Sequence, residues 1–67
     1  MSVAKIIEIS AQSGTSFEDA VKEGIARASK TIDNIQGAWI KEMQVAVEDG
    51  RVTGYRVNMN VTFILTD

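Results

Sequence analysis

The dipeptide Asp49-Gly50 divides the C-terminal half of the chain into two long runs, AWIKEMQVAVE over 38–48 and RVTGYRVNMNVTFIL over 51–65. Two such residues between β-rich runs are a strong hairpin signal, because a type I′ turn needs positive φ at both central positions and Gly adopts it without a steric penalty. Neither run contains Pro, and both are rich in Val, Ile, Thr and aromatic residues, so each is predicted to be a strand. In the second run Tyr55, Val57, Met59, Val61, Phe63 and Leu65 alternate with Arg56, Asn58, Asn60, Thr62 and Ile64. A period of two assigns the first set to a buried face.

Upstream, residues 3–10 (VAKIIEIS) read as a further strand, followed by the turn cluster Gln12-Ser13-Gly14-Thr15. Their imperfect alternation fits an edge position or burial on both faces. Residues 16–33 read as a helix. Thr15 with Glu18 forms a capping box, and Ser16 with Asp19 competes for the same role. Phe17, Ala20, Val21, Ile25, Ala28 and Ile32 recur at spacings of three and four and define one apolar face. The opposite face carries acids early and bases late, as the helix dipole favours, with Glu18–Lys22 and Glu23–Arg27 spaced as i,i+4 pairs. Gly24 costs about 1 kcal/mol relative to Ala inside a helix, and its place on the apolar side predicts a close approach to the sheet. Asn34 and Gly37 mark the exit. The predicted fold is α+β, β-α-β-β, with one helix packed on a three-stranded antiparallel sheet, in one domain over 1–67.

A chain of 67 residues builds a modest core, and small domains draw further stability from disulfides, metals or partner copies. There is no Cys, so disulfides and thiolate metal sites are excluded, and no His, so an imidazole ligand or base is excluded too. Association between copies is the remaining device. The net charge is −2 with both signs interspersed, which lacks the basic stripe of a nucleic-acid binder. The short, charged apolar run at the N-terminus does not read as a signal peptide, and no stretch is long enough to span a membrane. A cytoplasmic protein is expected.

One helix covers one side of such a sheet. With 38–48 as the middle strand, its uncovered side shows Gly37, Trp39, Lys41, Met43, Val45 and Val47. Monomers rarely expose such a patch, and long hairpin strands leave edges that need pairing. Burial by other copies or by a ligand is therefore expected.

The segments KIIEISAQSGTSFEDAV, IARASKTI and GYRVNMNVTFIL, in this order and spacing, resemble the dodecins over essentially the whole chain. The resemblance implies a hollow homo-oligomer of twelve copies with helices outside and sheets lining the interior. It also implies a flavin (FMN or riboflavin) stacked between Trp side chains, its pyrimidine edge held by a Gln of the last strand, for storage or buffering without turnover. In an ungapped alignment the family's stacking Trp falls on Gly37, and Trp39 lies two residues on, about 7 Å along the same face. The family's Gln falls on Arg56, which offers donors only. The YR pair of 55–56 is similar to a subgroup in which some members do not show the usual flavin pair.

The candidate cofactor-binding residues are thus Trp39, Arg56, Gly37 and Asn58. Trp39 is either an aromatic platform or an anchor between copies. Arg56 takes a ligand phosphate or carboxylate, or else bridges to Glu8, Glu42 or Glu48 of a neighbouring copy. Asn58 and Asn60 would line a polar interior or an ordinary strand face. Glu8, Glu42, Glu48 and Asp49 could meet around symmetry axes and bind calcium or magnesium through oxygen, in a flavin-free assembly that is the alternative reading. Enzymatic readings are weak. Ser10, Ser13, Ser16 and Ser29 have no His to activate them, and Gly14-Thr15 is no phosphate loop. A non-catalytic protein is expected.

Overall fold

The computed structural model describes residues 2–65. Its elements are β1 (Ala4–Ser13), α1 (Phe17–Ala28), β2 (Ile35–Glu48) and β3 (Arg51–Ile64), so the β-α-β-β order and the antiparallel sheet are as expected. The strand order is β1-β3-β2. The C-terminal strand, rather than 38–48, is central, and β1 and β2 are both edges, which accounts for the weak alternation of β1. No helix among the described residues is long and apolar enough to cross a membrane.

The hairpin turns where the sequence requires it, with φ of 52° at Asp49 and 77° at Gly50. β1 is longer than expected because pairing with β3 continues to Ser13 opposite Tyr55, drawing Gln12 and Ser13 out of the turn. The helix is shorter than 16–33. Ser16, rather than Thr15, is the N-cap, and its Oγ accepts the Asp19 N–H at 2.9 Å. The Asp19 carboxylate does not close the box. It accepts instead from Ser13 Oγ at 2.6 Å, and that hydroxyl in turn accepts the Thr15 N–H at 2.9 Å. Ser13 is 5% exposed, so this relay ties the end of β1 to the first helical turn. Ser16→Ala should cost about 1 kcal/mol, read as a lower midpoint in urea with an unchanged slope.

After Ala28 the helical bonds give way to shorter ones, Lys30 N–H to Arg27 and Thr31 N–H to Ala28, and Asn34 at φ 64° turns the chain into β2. The apolar period that predicted helix to 33 thus runs through a turn that still places Ile32 half-buried. The Glu18–Lys22 pair is closed at 2.9 Å, whereas Glu23–Arg27 is not among the ion pairs of the described residues.

The core forms where α1 lies on β1 and β3. Val57, Met59 and Val61 are fully buried with Ala20, and Ile9, Ala11, Phe17, Val21 and Ile25 surround them. Phe17 meets Tyr55 edge-on, with centroids 5.1 Å apart. Gly24 makes the expected close approach: a Cβ there would stand 2.6 Å from Met59 Cε and 2.9 Å from Ala11 Cβ.

A helix of 12 residues is about 18 Å long, against about 48 Å for strands of 14 residues. The molecule accordingly measures 51 × 20 × 13 Å, and its radius of gyration of 13.8 Å exceeds the about 11 Å of a compact chain this size. Beyond Tyr55 the hairpin is a two-stranded arm with neither helix nor third strand against it.

β2 does not alternate regularly. Its register with β3 shifts between Ile35 and Gly37, between Ile40 and Glu42, and between Ala46 and Val47. Directly paired residues share a face. Gly37 opposite Thr62 and Trp39 opposite Asn60 therefore lie on the side away from the helix, as expected. Past the bulge at Lys41 the sides exchange. Met43 pairs with Val57 and Val45 with Tyr55, so both turn to the helix side, contrary to expectation, and Glu42 and Gln44, opposite Asn58 and Arg56, stand on the bare side in their stead. The last shift places its extra residue, Thr53, on β3, so β2 keeps alternating and Val47, opposite Val52, stays on the same side as Met43 and Val45 instead of the bare side expected.

Candidate functional site

The sheet face opposite the helix has no cover among the described residues and carries most of the chemistry. It is organised in rows running across the three strands. Gln12, Arg56 and Gln44 form one row, Ser10, Asn58 and Glu42 the next, Glu8, Asn60 and Trp39 the third, and Ile6, Thr62 and Gly37 the last.

Side chains close across these rows. Arg56 Nε and Nη2 both donate to Gln12 Oε1, at 3.2 and 2.8 Å. Asn58 Nδ2 donates to Glu42 Oε1 at 3.2 Å. The bulged Lys41 reaches over the central strand to Glu8 Oε1, also at 3.2 Å. This last pair is half exposed at both ends and contributes at most about 1 kcal/mol. The result is a wet, cross-braced polar surface of mixed sign on which Trp39 is the one large aromatic ring, 49% exposed.

The four candidate residues share this face, but a single chain does not draw them together. Trp39 is opposite Asn60, four residues from Arg56 along β3, which is about 13 Å. Arg56 is moreover turned toward β1, whereas Trp39 stands on the opposite edge. Asn58 is engaged with Glu42. Gly37 has no atom within 4 Å of where a Cβ would be, so the space beside Trp39 along the edge strand is open. An aromatic platform with room beside it suits a planar ring. The polar partner for that ring's edge would have to come from another copy.

For a cation the arrangement is sparser. Calcium takes six to eight oxygens. Among the described residues no three acidic side chains come close enough together to hold a metal ion. Glu8 and Glu42 already accept from Lys41 and Asn58, and Glu48 and Asp49 lie at the hairpin tip. Carboxylates of more than one copy would have to combine.

The contacts Gln12–Arg56, Lys41–Glu8 and Asn58–Glu42 escaped the sequence reading. They join residues far apart in the chain, and placing β3 at the centre is what brings them together. The alternation of β3 beside the weaker alternation of β1 was the available signal for that order.

Comparisons with known proteins agree with this architecture. The model of the family described as Dodecin matches residues 3–66. The calcium dodecin of Mycobacterium tuberculosis (strain ATCC 25618 / H37Rv) is 38% identical over 63 residues, spanning 94% of this chain and 89% of that protein. A crystal structure of that calcium dodecin, described as calcium chelating with a novel calcium-binding site, superposes with a TM-score of 0.83 at 35% identity over 96% of this chain and 91% of its own. A mutant of Thermus thermophilus dodecin superposes with a TM-score of 0.95 at 28% identity over the whole of both chains. The chain belongs to the dodecin family.

Proposed function

We propose that this dodecin is a cytoplasmic, non-catalytic binding protein that assembles from copies of itself, twelve in the closed shell, and holds its ligand on the bare sheet face where copies meet. The observation that carries this reading is Trp39. It is a half-exposed ring on a face that none of the described residues covers, with open space at Gly37 beside it. Lone aromatic platforms of this kind take planar ligands by stacking. The ligand placed first is a flavin, FMN or riboflavin, with its ring on Trp39 and its edge held by Arg56 or Asn58 of another copy. The role is then storage or buffering. No turnover is expected from a chain without His or Cys.

Calcium is the second reading, favoured by the 38% identity to a calcium dodecin. In that case Glu8 and Glu42 of several copies supply the oxygens, and Trp39 is an anchor between subunits.

Two titrations of the assembled protein, stripped of metal and flavin, separate the readings. Riboflavin or FMN emission should be quenched saturably, and Trp39→Ala should abolish the quenching while native mass spectrometry still shows the full assembly. Calorimetric calcium binding that Glu8→Gln and Glu42→Gln together abolish, with flavin emission unchanged throughout, would replace flavin by calcium. Loss of the assembly in Trp39→Ala would make Trp39 a subunit anchor.

A further inference from the structure

Arg56 carries a charge that no carboxylate among the described residues balances: the ion pairs there are Lys22–Glu18 and Lys41–Glu8. Yet its guanidinium is held. Nε and Nη2 converge on Gln12 Oε1, which fixes one edge of the plane toward β1. Gly54 makes that hold possible. It lies two residues from Arg56 on the same face, and a Cβ there would stand 3.0 Å from Gln12 Nε2. Gly54 has no positive φ, so conformation does not require glycine. Glycine weakens the interior of a strand, and close approach of another group is a recurrent reason for its presence. Gly54 is also buried although it faces the open side, in keeping with the Gln12 amide lying over it.

A guanidinium has five N–H donors, and two are used here. The other three remain for a second acceptor. Across the strand from Arg56, on β2, stands Gln44, whose amide can donate as well. A charged fork fixed in advance, flanked by neutral donors, suits a tetrahedral oxyanion, because bidentate charge-assisted bonds combine strength with geometry and a held side chain loses less freedom on binding. The acid of the adjacent row, Glu42, has an oxygen engaged by Asn58.

We propose that Arg56, positioned by Gln12 over Gly54 and completed by Gln44, is a binding site for the phosphate group of a small ligand. The site shares Arg56 with the flavin reading, in which Asn58 would then hold the ring's edge, and the calcium reading can fail without touching it.

The test is calorimetric titration of the intact assembly at low ionic strength with inorganic phosphate, with ribose 5-phosphate, and with acetate. Saturable binding of both phosphates, at least about tenfold tighter than acetate, is expected. Equal affinity for the two would assign the site to the phosphate group itself, and tighter binding of the ester to a phosphorylated metabolite. Arg56→Gln should abolish binding. Arg56→Lys, which keeps the charge and loses the fork, should weaken it about tenfold. Gln12→Ala and Gly54→Ala should each weaken it several-fold without changing the oligomer mass. Wild-type affinity no better than that of Arg56→Gln overturns the proposal. So does an assembly that ignores phosphate but falls apart in Arg56→Gln, which would give Arg56 to a carboxylate of a second copy. Full affinity in Gln12→Ala overturns the positioning role.

Discussion

Met59→Ala is expected to remove about 2–5 kcal/mol of stability, as deletion of a fully buried core side chain does when the surroundings cannot collapse into the space. Met59 is 0% exposed at the middle of the central strand and fills the notch that Gly24 leaves in the helix. Urea unfolding at one fixed protein concentration reads this effect without contribution from mass action. Gly24 supplies the sharper check. In the native background Gly24→Ala drives a methyl to 2.6 Å from Met59 Cε and 2.9 Å from Ala11 Cβ. The overpacking, about 1–3 kcal/mol, outweighs the about 1 kcal/mol gained in helix propensity. Once Met59 is Ala the first obstruction is gone, so Gly24→Ala should cost less there by about 0.5–1 kcal/mol or more. Strict additivity of the two substitutions would show that the helix is not held at this distance by Met59.

The second large effect is expected from Met43→Asp combined with Val45→Asp. Both side chains are on the helix side of β2, beyond the reach of α1, and are 54% and 41% exposed in the single chain. They stand on the edge strand where the sheet is still three-stranded, and an apolar patch this exposed is what a contact between copies would cover. Two carboxylates placed in a contact between copies bring a desolvation penalty that no partner offsets. The double variant should therefore run as single chains in native mass spectrometry. Its far-ultraviolet circular dichroism should lose sheet signal at ambient temperature, because the core left to one copy is small. A variant that remains assembled and folded would mean that this side of β2 faces solvent, and the association surface would then have to be the Trp39 side.

Much of the fold was legible in the sequence because local chemistry agreed with the global pattern. The hairpin was fixed by Asp49-Gly50, the helix by its spacing, and the buried side of β3 by strict alternation through Val57, Met59 and Val61. What escaped notice was non-local. Ser16 prevailed over Thr15 as cap because Ser13 draws off the carboxylate of Asp19, a contact set by where β1 stops. The helix ended early because residues 29–34 turn the chain toward β2 while keeping the same apolar rhythm. The bare face was anticipated, along with Gly37 and Trp39 on it, but Met43, Val45 and Val47 were assigned to it in error, since two-residue periodicity cannot register an extra residue at Lys41. The cross-strand partners of Arg56, Lys41 and Asn58 depend on β3 being central, which no single segment encodes.

The bulge at Lys41 makes β2 a strand of two halves that serve opposite surfaces. Deleting one residue there would leave composition and hydrophobic count nearly untouched. It would, however, exchange inside for outside over every position from Glu42 to Glu48. Met43 and Val45 would enter the polar rows, and Glu42 and Gln44 would turn toward the apolar side of β2. The length of this strand is therefore as much a specification as its letters. An alignment that closes the bulge with a gap would join residues that never occupy the same surface.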